Sequence, residues 1–235
     1  MTPGPAARPE VLISAHSGGA ERARPGSLAA YQAVAASGAE YAEFDVRRAG
    51  DGTLVAQHSA SPERPDGEPV VLAREVMGVL AAGGVRGHVD LKGAGFEREA
   101  VTLALESFGP GGFVVTTPDP ESVAAIRAEF AAVPVGLSVG FGWASVARRA
   151  RRLRWPASFP FAAVRDSPAD WVAMSYRYAR PDVLSWCVAG GRRIMVWTVN
   201  DDRRLDRFLT DPRVSILVTD RPGYAVRRRR ALTGE

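Results

Sequence analysis

"GHVDLKGAGFEREAVTLALESFGPGGFVVTTPDPESVAAIRAEFAAVPVGLSV", residues 87–139, decides the fold. Three short runs rich in β-branched residues, at 87–92, 113–117 and 133–139, alternate with helix-length segments at 96–108 and 120–131. Two strands joined through a helix lie parallel, so the stretch is two linked βαβ units. The alternation continues in both directions. Upstream, "VLISAHS" (11–17) reads as a strand and "SLAAYQAVAASG" (27–38) as a helix capped by Ser27 and ended by Gly38. "AEYAEFDVRR" (39–48) is the next strand, and "AGDGTLVAQHS" (49–59) turns back on it at Asp51-Gly52 as a hairpin. A short helix at 71–82 leads into the quoted stretch. Downstream come a helical stretch near 143–154, a proline-broken connection at 155–170, and strands at 171–176, 193–200 and 215–220. Helices at 180–190, 201–210 and near 223–232 accompany those strands. Eight strand–helix units predict one domain over residues 1–235, a (β/α)8 TIM barrel with a small β-hairpin extension after strand 2.

Composition bounds the rest. The chain has 235 residues, 46% of them hydrophobic, enough for a full core. One cysteine, Cys187, excludes an internal disulfide framework and reads as a buried helical thiol. "MTPGPAARPE" holds no apolar signal core, and no apolar run approaches the ~18 residues of a membrane span, so a cytoplasmic protein is expected. The net charge of +4 is mild for the length. The basic runs at 147–155 and 226–230 read as solvated helix faces, with weak contact to an anionic membrane surface left open. Without interleaved aromatics they do not point to nucleic acid. The oligomeric state is not readable.

In a barrel of this kind chemistry gathers at the C-terminal ends of the strands. His16 falls at the end of the first strand, Glu43 and Asp45 on the second, His58 at the end of the hairpin, and Asp90 and Lys92 on the third. Glu43 and Asp45, two apart, share a face at ~6–7 Å spacing along the strand. Asp90 on the neighbouring strand adds a third carboxylate. Three buried carboxylates repel unless something compensates them, and one hard divalent cation, Mg²⁺ or Ca²⁺, suits an all-oxygen set. The competing reading is an E-x-D strand end paired with arginines. Two histidines beside such a site suit a general acid and base, because their ordinary pKa lies near 6.5. His88, two residues before Asp90, is deeper on the same face and reads as an interior layer residue. Of the 30 basic residues Lys92 is the one lysine; the rest are arginine. A compact ammonium fits a narrow mouth beside carboxylates better than a planar guanidinium fork.

At these residues the chain resembles the glycerophosphodiester phosphodiesterase family of phospholipase-C-like barrels. "ISAHSGG…SLAAYQAVAASGAEYAEFDVRRAGDGTLVAQHS" is similar to the family's opening, with its His, E-x-D, D-G and second His in order. "HVDLK" is similar to its acid-x-Lys strand, and "GGRRIMVWTVNDDRRLDRFL…VSILVTDRPG" to its closing segments. The resemblance spans about residues 11–223. It implies His16 and His58 as the acid–base pair and Glu43, Asp45 and Asp90 as ligands of one divalent cation. Lys92 would hold the phosphate charge, and Trp197, on the seventh barrel strand, would line the pocket.

The chain departs from the family pattern in places. Ser17 stands where an arginine usually follows the first His, "RPGS" (24–27) replaces Pro-Glu-Asn-Thr, and Ser59 replaces an aspartate. Asp90 shortens the usual glutamate, as in sphingomyelinase-D-like barrels. Arg22 or Arg24 is a candidate for the lost positive charge, and Glu21 for the lost carboxylate. The expected function is metal-dependent hydrolysis of a small-molecule glycerophosphodiester to an alcohol and a glycerol phosphate. Alternatives are a lysophospholipase-D- or sphingomyelinase-D-like activity on a lipid head group, or a barrel that binds phosphodiesters with little turnover.

Overall fold

Strand order in the computed structural model closes on itself. The structure describes residues 10–58, 70–140 and 159–234. The barrel strands are β1 (Leu12–Ala15), β2 (Tyr41–Arg48), β4 (Arg86–Leu91), β5 (Phe113–Thr117), β6 (Val135–Val139), β7 (Trp171–Ser175), β8 (Arg193–Trp197) and β9 (Ile216–Thr219). All eight run parallel, and pairing of Ser14 with Tyr41 and Ala15 with Ala42 joins β1 to β2 and completes the ring. The short β3 (Leu54–Ala56) lies antiparallel on the end of β2, with Val46 opposite Ala56 and Arg48 opposite Leu54. This is the expected (β/α)8 barrel with its hairpin.

Helices α1 (Leu28–Ala33), α2 (Ala73–Ala82), α3 (Glu97–Phe108), α4 (Pro120–Glu129), α5 (Phe161–Asp166), α6 (Pro181–Ala189), α7 (Asp202–Leu209) and α8 (Pro222–Thr233) follow the strands. Their starts are written in the sequence. Ser27, Asp119 and Asp201 accept main-chain N–H bonds at the first turns of α1, α4 and α7, and proline opens α4, α6 and α8. No helix among the described residues is long and apolar enough to cross a membrane.

Two elements differ from expectation. The segment 155–170, read as a proline-broken loop, contains α5, a six-residue helix between Pro160 and Pro168. Ser167, forced toward extended backbone by the proline after it, ends that helix at ψ 139°. The first strand stops at Ala15, so His16 opens a 3₁₀ turn rather than ending the strand. The helix expected near 143–154, the basic run at 147–155 and Ser59 lie outside the described residues.

Alternation along the buried strands creates two cores. Ala42, Phe44 and Val46 of β2 point outward into the layer beneath the helices, where Cys187 is also buried. Tyr41 points inward and meets Val114, Trp171, Met195, Ile216 and Val218 in an apolar plug at the N-terminal half of the barrel. Arg86 stacks on Tyr41 at 4.1 Å and Arg193 on Trp171 at 4.0 Å at that end. Farther along the same inward rows the residues become polar: Ser14, His88 and Thr116, then Glu43, Asp45 and Asp90.

Candidate active site

The registers put Glu43 beside His88, Asp45 beside Asp90, and Asp90 beside Thr116. One side-chain oxygen each from Glu43, Asp45 and Asp90 lies within 4.8 Å of the other two, and all three residues are buried. Burial and the negative charge of Asp45 raise the Glu43 pKa to about 7, against the pull of His16 and Lys92. Burial likewise raises the Asp90 pKa, opposed by Lys92. Burial would also raise that of Asp45, but the hydrogen bond from His58 and the Lys92 charge outweigh it, and its pKa is lowered.

Lys92 sits between two of these acids. Its Nζ donates to Asp90 Oδ2 and lies 3.0 Å from Asp45 Oδ1. The second approach lacks hydrogen-bond geometry, so buried Asp45 Oδ1 keeps no directed donor among the described residues. Three carboxylates with an undonated buried oxygen form a donor set that fits a hard dication.

Each rim histidine is held through Nδ1 by a carboxylate. His58 Nδ1 is 2.8 Å from Asp45 Oδ2, with its own side chain largely exposed. His16 Nδ1 is 2.6 Å from Asp220 Oδ1. Burial pulls the His16 pKa down, but the Asp220 hydrogen bond and the charges of Glu43, Asp220 and Asp45 overcome it and raise it to about 9. With Nδ1 engaged in both rings, Nε2 is the nitrogen left for proton transfer.

His88 is interior, as read from the sequence. Thr116 Oγ1 donates its one proton to Asp90 Oδ1 at 3.0 Å, so it must accept from His88 Nε2, also at 3.0 Å. His88 Nδ1 then accepts from Ser14 Oγ at 3.1 Å. Burial holds His88 neutral, and the chain Ser14–His88–Thr116–Asp90 is satisfied in that form.

The remaining candidates have other places. Ser17 adopts a left-handed backbone (φ 48°), and its N–H donates to Glu43 Oε2 at 2.9 Å, fixing that carboxylate. Glu21 does not replace the lost carboxylate. It accepts the N–H groups of Gly223 and Tyr224 at 2.6 and 3.0 Å, capping α8. Arg22 and Arg24 are exposed between β1 and α1. Trp197 ends β8 with its ring against Gly140, where any Cβ would collide with the indole. Its buried Nε1 finds no acceptor among the described residues. Sequence reasoning missed Asp220, Asn200 and Thr116. The first two lie inside the quoted "TVN" and "VTDRP" segments, which had suggested no role for them.

The sequence profile of the Glycerophosphoryl diester phosphodiesterase family matches residues 16–65, which hold His16, Glu43, Asp45 and His58. Curated protein sequences return no match. Among solved structures, a glycerophosphodiester phosphodiesterase from Parabacteroides distasonis is similar at TM-score 0.77 and 15% identity, covering 95% of this chain and 98% of that one. One from Agrobacterium tumefaciens is similar at TM-score 0.66 and 17% identity, covering 92% and 99%. An Oleispira antarctica phosphodiesterase in complex with the product sn-glycerol-3-phosphate is similar at TM-score 0.70 and 16% identity, covering 93% and 96%. At these identities the structural likeness is one of fold. The resemblance read from the motifs is borne out by a family match over its opening motif, residues 16–65, on the same barrel.

Proposed function

We propose that this protein is a divalent-cation-dependent phosphodiesterase that hydrolyses small glycerophosphodiesters to an alcohol and a glycerol phosphate. The observation that carries the reading is the buried Glu43–Asp45–Asp90 cluster at the barrel mouth, flanked by two histidines each anchored through Nδ1 to a carboxylate. The family match over residues 16–65 and the product-bound Oleispira antarctica relative support the same chemistry.

In this reading Glu43, Asp45 and Asp90 hold one Mg²⁺ or Ca²⁺, which when bound neutralises charge on the non-bridging phosphate oxygens. Lys92 adds a fixed positive charge on the same side. His16, neutral once a cation held by Glu43 and Asp45 offsets two of the charges that raise its pKa, takes the proton of the attacking hydroxyl, whether of water or of the substrate's own adjacent alcohol. His58, at the open rim, gives a proton to the departing alkoxide as the P–O bond breaks. Trp197 walls the pocket. The observed hold of Asp220 on His16 and of Asp45 on His58 fixes the ring that each transfer uses.

The test is hydrolysis of bis(p-nitrophenyl) phosphate and of glycerophosphocholine and glycerophosphoethanolamine, after EDTA and with Mg²⁺, Ca²⁺ or Mn²⁺ restored. Cation-dependent turnover is expected; none with any cation sinks the reading. A second reading, a lysophospholipid or sphingolipid head-group phosphodiesterase, is favoured by Ser17 and Pro25 standing where the family has Arg and Glu. Faster turnover of lysophosphatidylcholine than of glycerophosphocholine selects it.

A further inference from the structure

We infer that Arg47 is a positioning residue that holds His58 in place by gripping its main chain. This rests on the acid–base role proposed for His58. Arg47 follows Asp45 by two residues on β2 and is half-buried. Its Nε and Nη2 both donate to the His58 carbonyl, at 3.1 and 2.9 Å, and its Nη1 donates to the Lys92 carbonyl at 2.8 Å. One planar guanidinium therefore ties together two chain ends that have left their strands. The β2–β3 ladder stops at Ala56 and β4 stops at Leu91.

That grip falls where it is needed. The His58 side chain is 80% exposed, whereas the Asp45 that receives it is 4% exposed. An exposed ring on a strand end is free to swing about its one carboxylate contact unless its backbone is fixed. A displacement of about 1 Å in a proton-transfer group costs on the order of 10²-fold in rate. The three donors of Arg47 fix the backbone of His58 and index it to Lys92, so that the proton donor and the phosphate-side charge share one frame. A lysine cannot substitute, because a single ammonium on a flexible stem does not present a rigid fork to two carbonyls.

Arg47→Ala and Arg47→Lys, with His58→Ala as the reference background, test this. Turnover of glycerophosphoethanolamine by either variant should fall ~10–100-fold with KM changed less than ~3-fold. Turnover of bis(p-nitrophenyl) phosphate should fall much less, because nitrophenolate leaves without a proton. In the His58→Ala background, measured on glycerophosphoethanolamine, Arg47→Ala should add little. Unchanged turnover of the alkyl diester, or an equal loss with and without His58, overturns the inference.

Imidazole NMR signals give a readout that does not depend on turnover. The His58 signals should move toward those of an unrestrained histidine in both variants, while those of buried His88 stay put and report an intact barrel. If the alanine variant does not fold, the lysine variant carries the comparison. Unmoved His58 signals also overturn the inference. An inactive wild type counts against the phosphodiesterase reading alone, since the NMR comparison still decides the grip.

Discussion

His16 and Asp220 lie 204 residues apart in the chain and 2.6 Å apart in the barrel, Nδ1 to Oδ1. Closure of the ring makes them neighbours, because β1 pairs with β9 and Ala15 is level with Thr219. Asp220 is itself held. Asn200 donates to its Oδ2, and Asn200 Oδ1 accepts from the Asp220 N–H at 2.9 Å and from Thr219 Oγ1 at 3.0 Å. The carboxylate fixes both the tautomer and the direction of the His16 ring.

Asp220→Asn should therefore act through His16 and leave the cation site alone. We expect kcat to fall roughly 10²–10⁴-fold, the range over which one positioned acid–base group contributes. The rise in melting temperature on adding Mg²⁺ or Ca²⁺ should match that of the wild type. Wild-type turnover in this variant would remove Asp220 from the mechanism; a lost cation response would instead place it at the metal.

Glu43 makes the cation response depend on pH. Burial, reinforced by Asp45, raises its pKa to about 7 from an ordinary 4.5. Between those values the folded state binds the proton more firmly than the unfolded chain does, so folding stability falls as pH rises through the window. A bound dication requires the ionised carboxylate and offsets that loss. In EDTA the melting temperature of the wild type should fall relative to that of Glu43→Gln as pH rises from 5 to 8, and the gain on adding the cation should be larger at pH 8 than at pH 5.5. Glu43→Gln should abolish that gain. A cation response that is equal at both pH values would contradict the assignment.

The barrel was legible because a short β-branched apolar run and a helix-length segment alternate eight times. Each needs only local information. Glu43, Asp45 and Asp90 were legible for the same reason, as strand neighbours separated by a fixed two-residue step or a single crossover. Asp220 was not. Its importance comes from ring closure, which sets the last strand beside the first, and from the 3₁₀ turn that swings His16 toward it. Glu21 misled in the opposite way. A carboxylate close in sequence to the first histidine is drawn instead to the α8 N-terminus, where two main-chain N–H groups receive it. Arg47 was hidden because its partners are carbonyls, which no residue type announces.

His88 predicts a separate sensitivity to acid. Burial, with the charges of Lys92 and His16, pushes its pKa down to about 3 from 6.5. The unfolded chain takes up this proton below pH 6.5 while the folded barrel refuses it, so stability falls from there toward pH 3. Protonation would also turn the Ser14 hydroxyl from donor to acceptor at His88 Nδ1. His88→Gln should narrow the gap between urea midpoints measured at pH 7 and pH 4.5 in EDTA. A gap as wide as that of the wild type would show that acid unfolding starts elsewhere.

Lys92 decides whether a lone lysine in an arginine-rich chain has a chemical reason. Its ammonium lies between Asp45 Oδ1 and Asp90 Oδ2, two of the three candidate ligands, and their negative charge raises its pKa despite the cost of burial. Charge and size then make opposite demands. Lys92→Met keeps much of the stem and removes the charge, leaving the three carboxylates uncompensated. Such a variant should bind a dication at least as tightly as the wild type while losing on the order of 10²-fold in kcat, the scale for one lost charge-stabilising donor. Lys92→Arg keeps the charge but drives a wider, directional fork into the carboxylate pair. It should weaken the cation-induced thermal shift as well as turnover. The two variants are thus separated by cation affinity rather than by rate. Wild-type cation affinity and turnover in Lys92→Arg would mean that position 92 requires only a positive charge, and that the sole lysine carries no structural information.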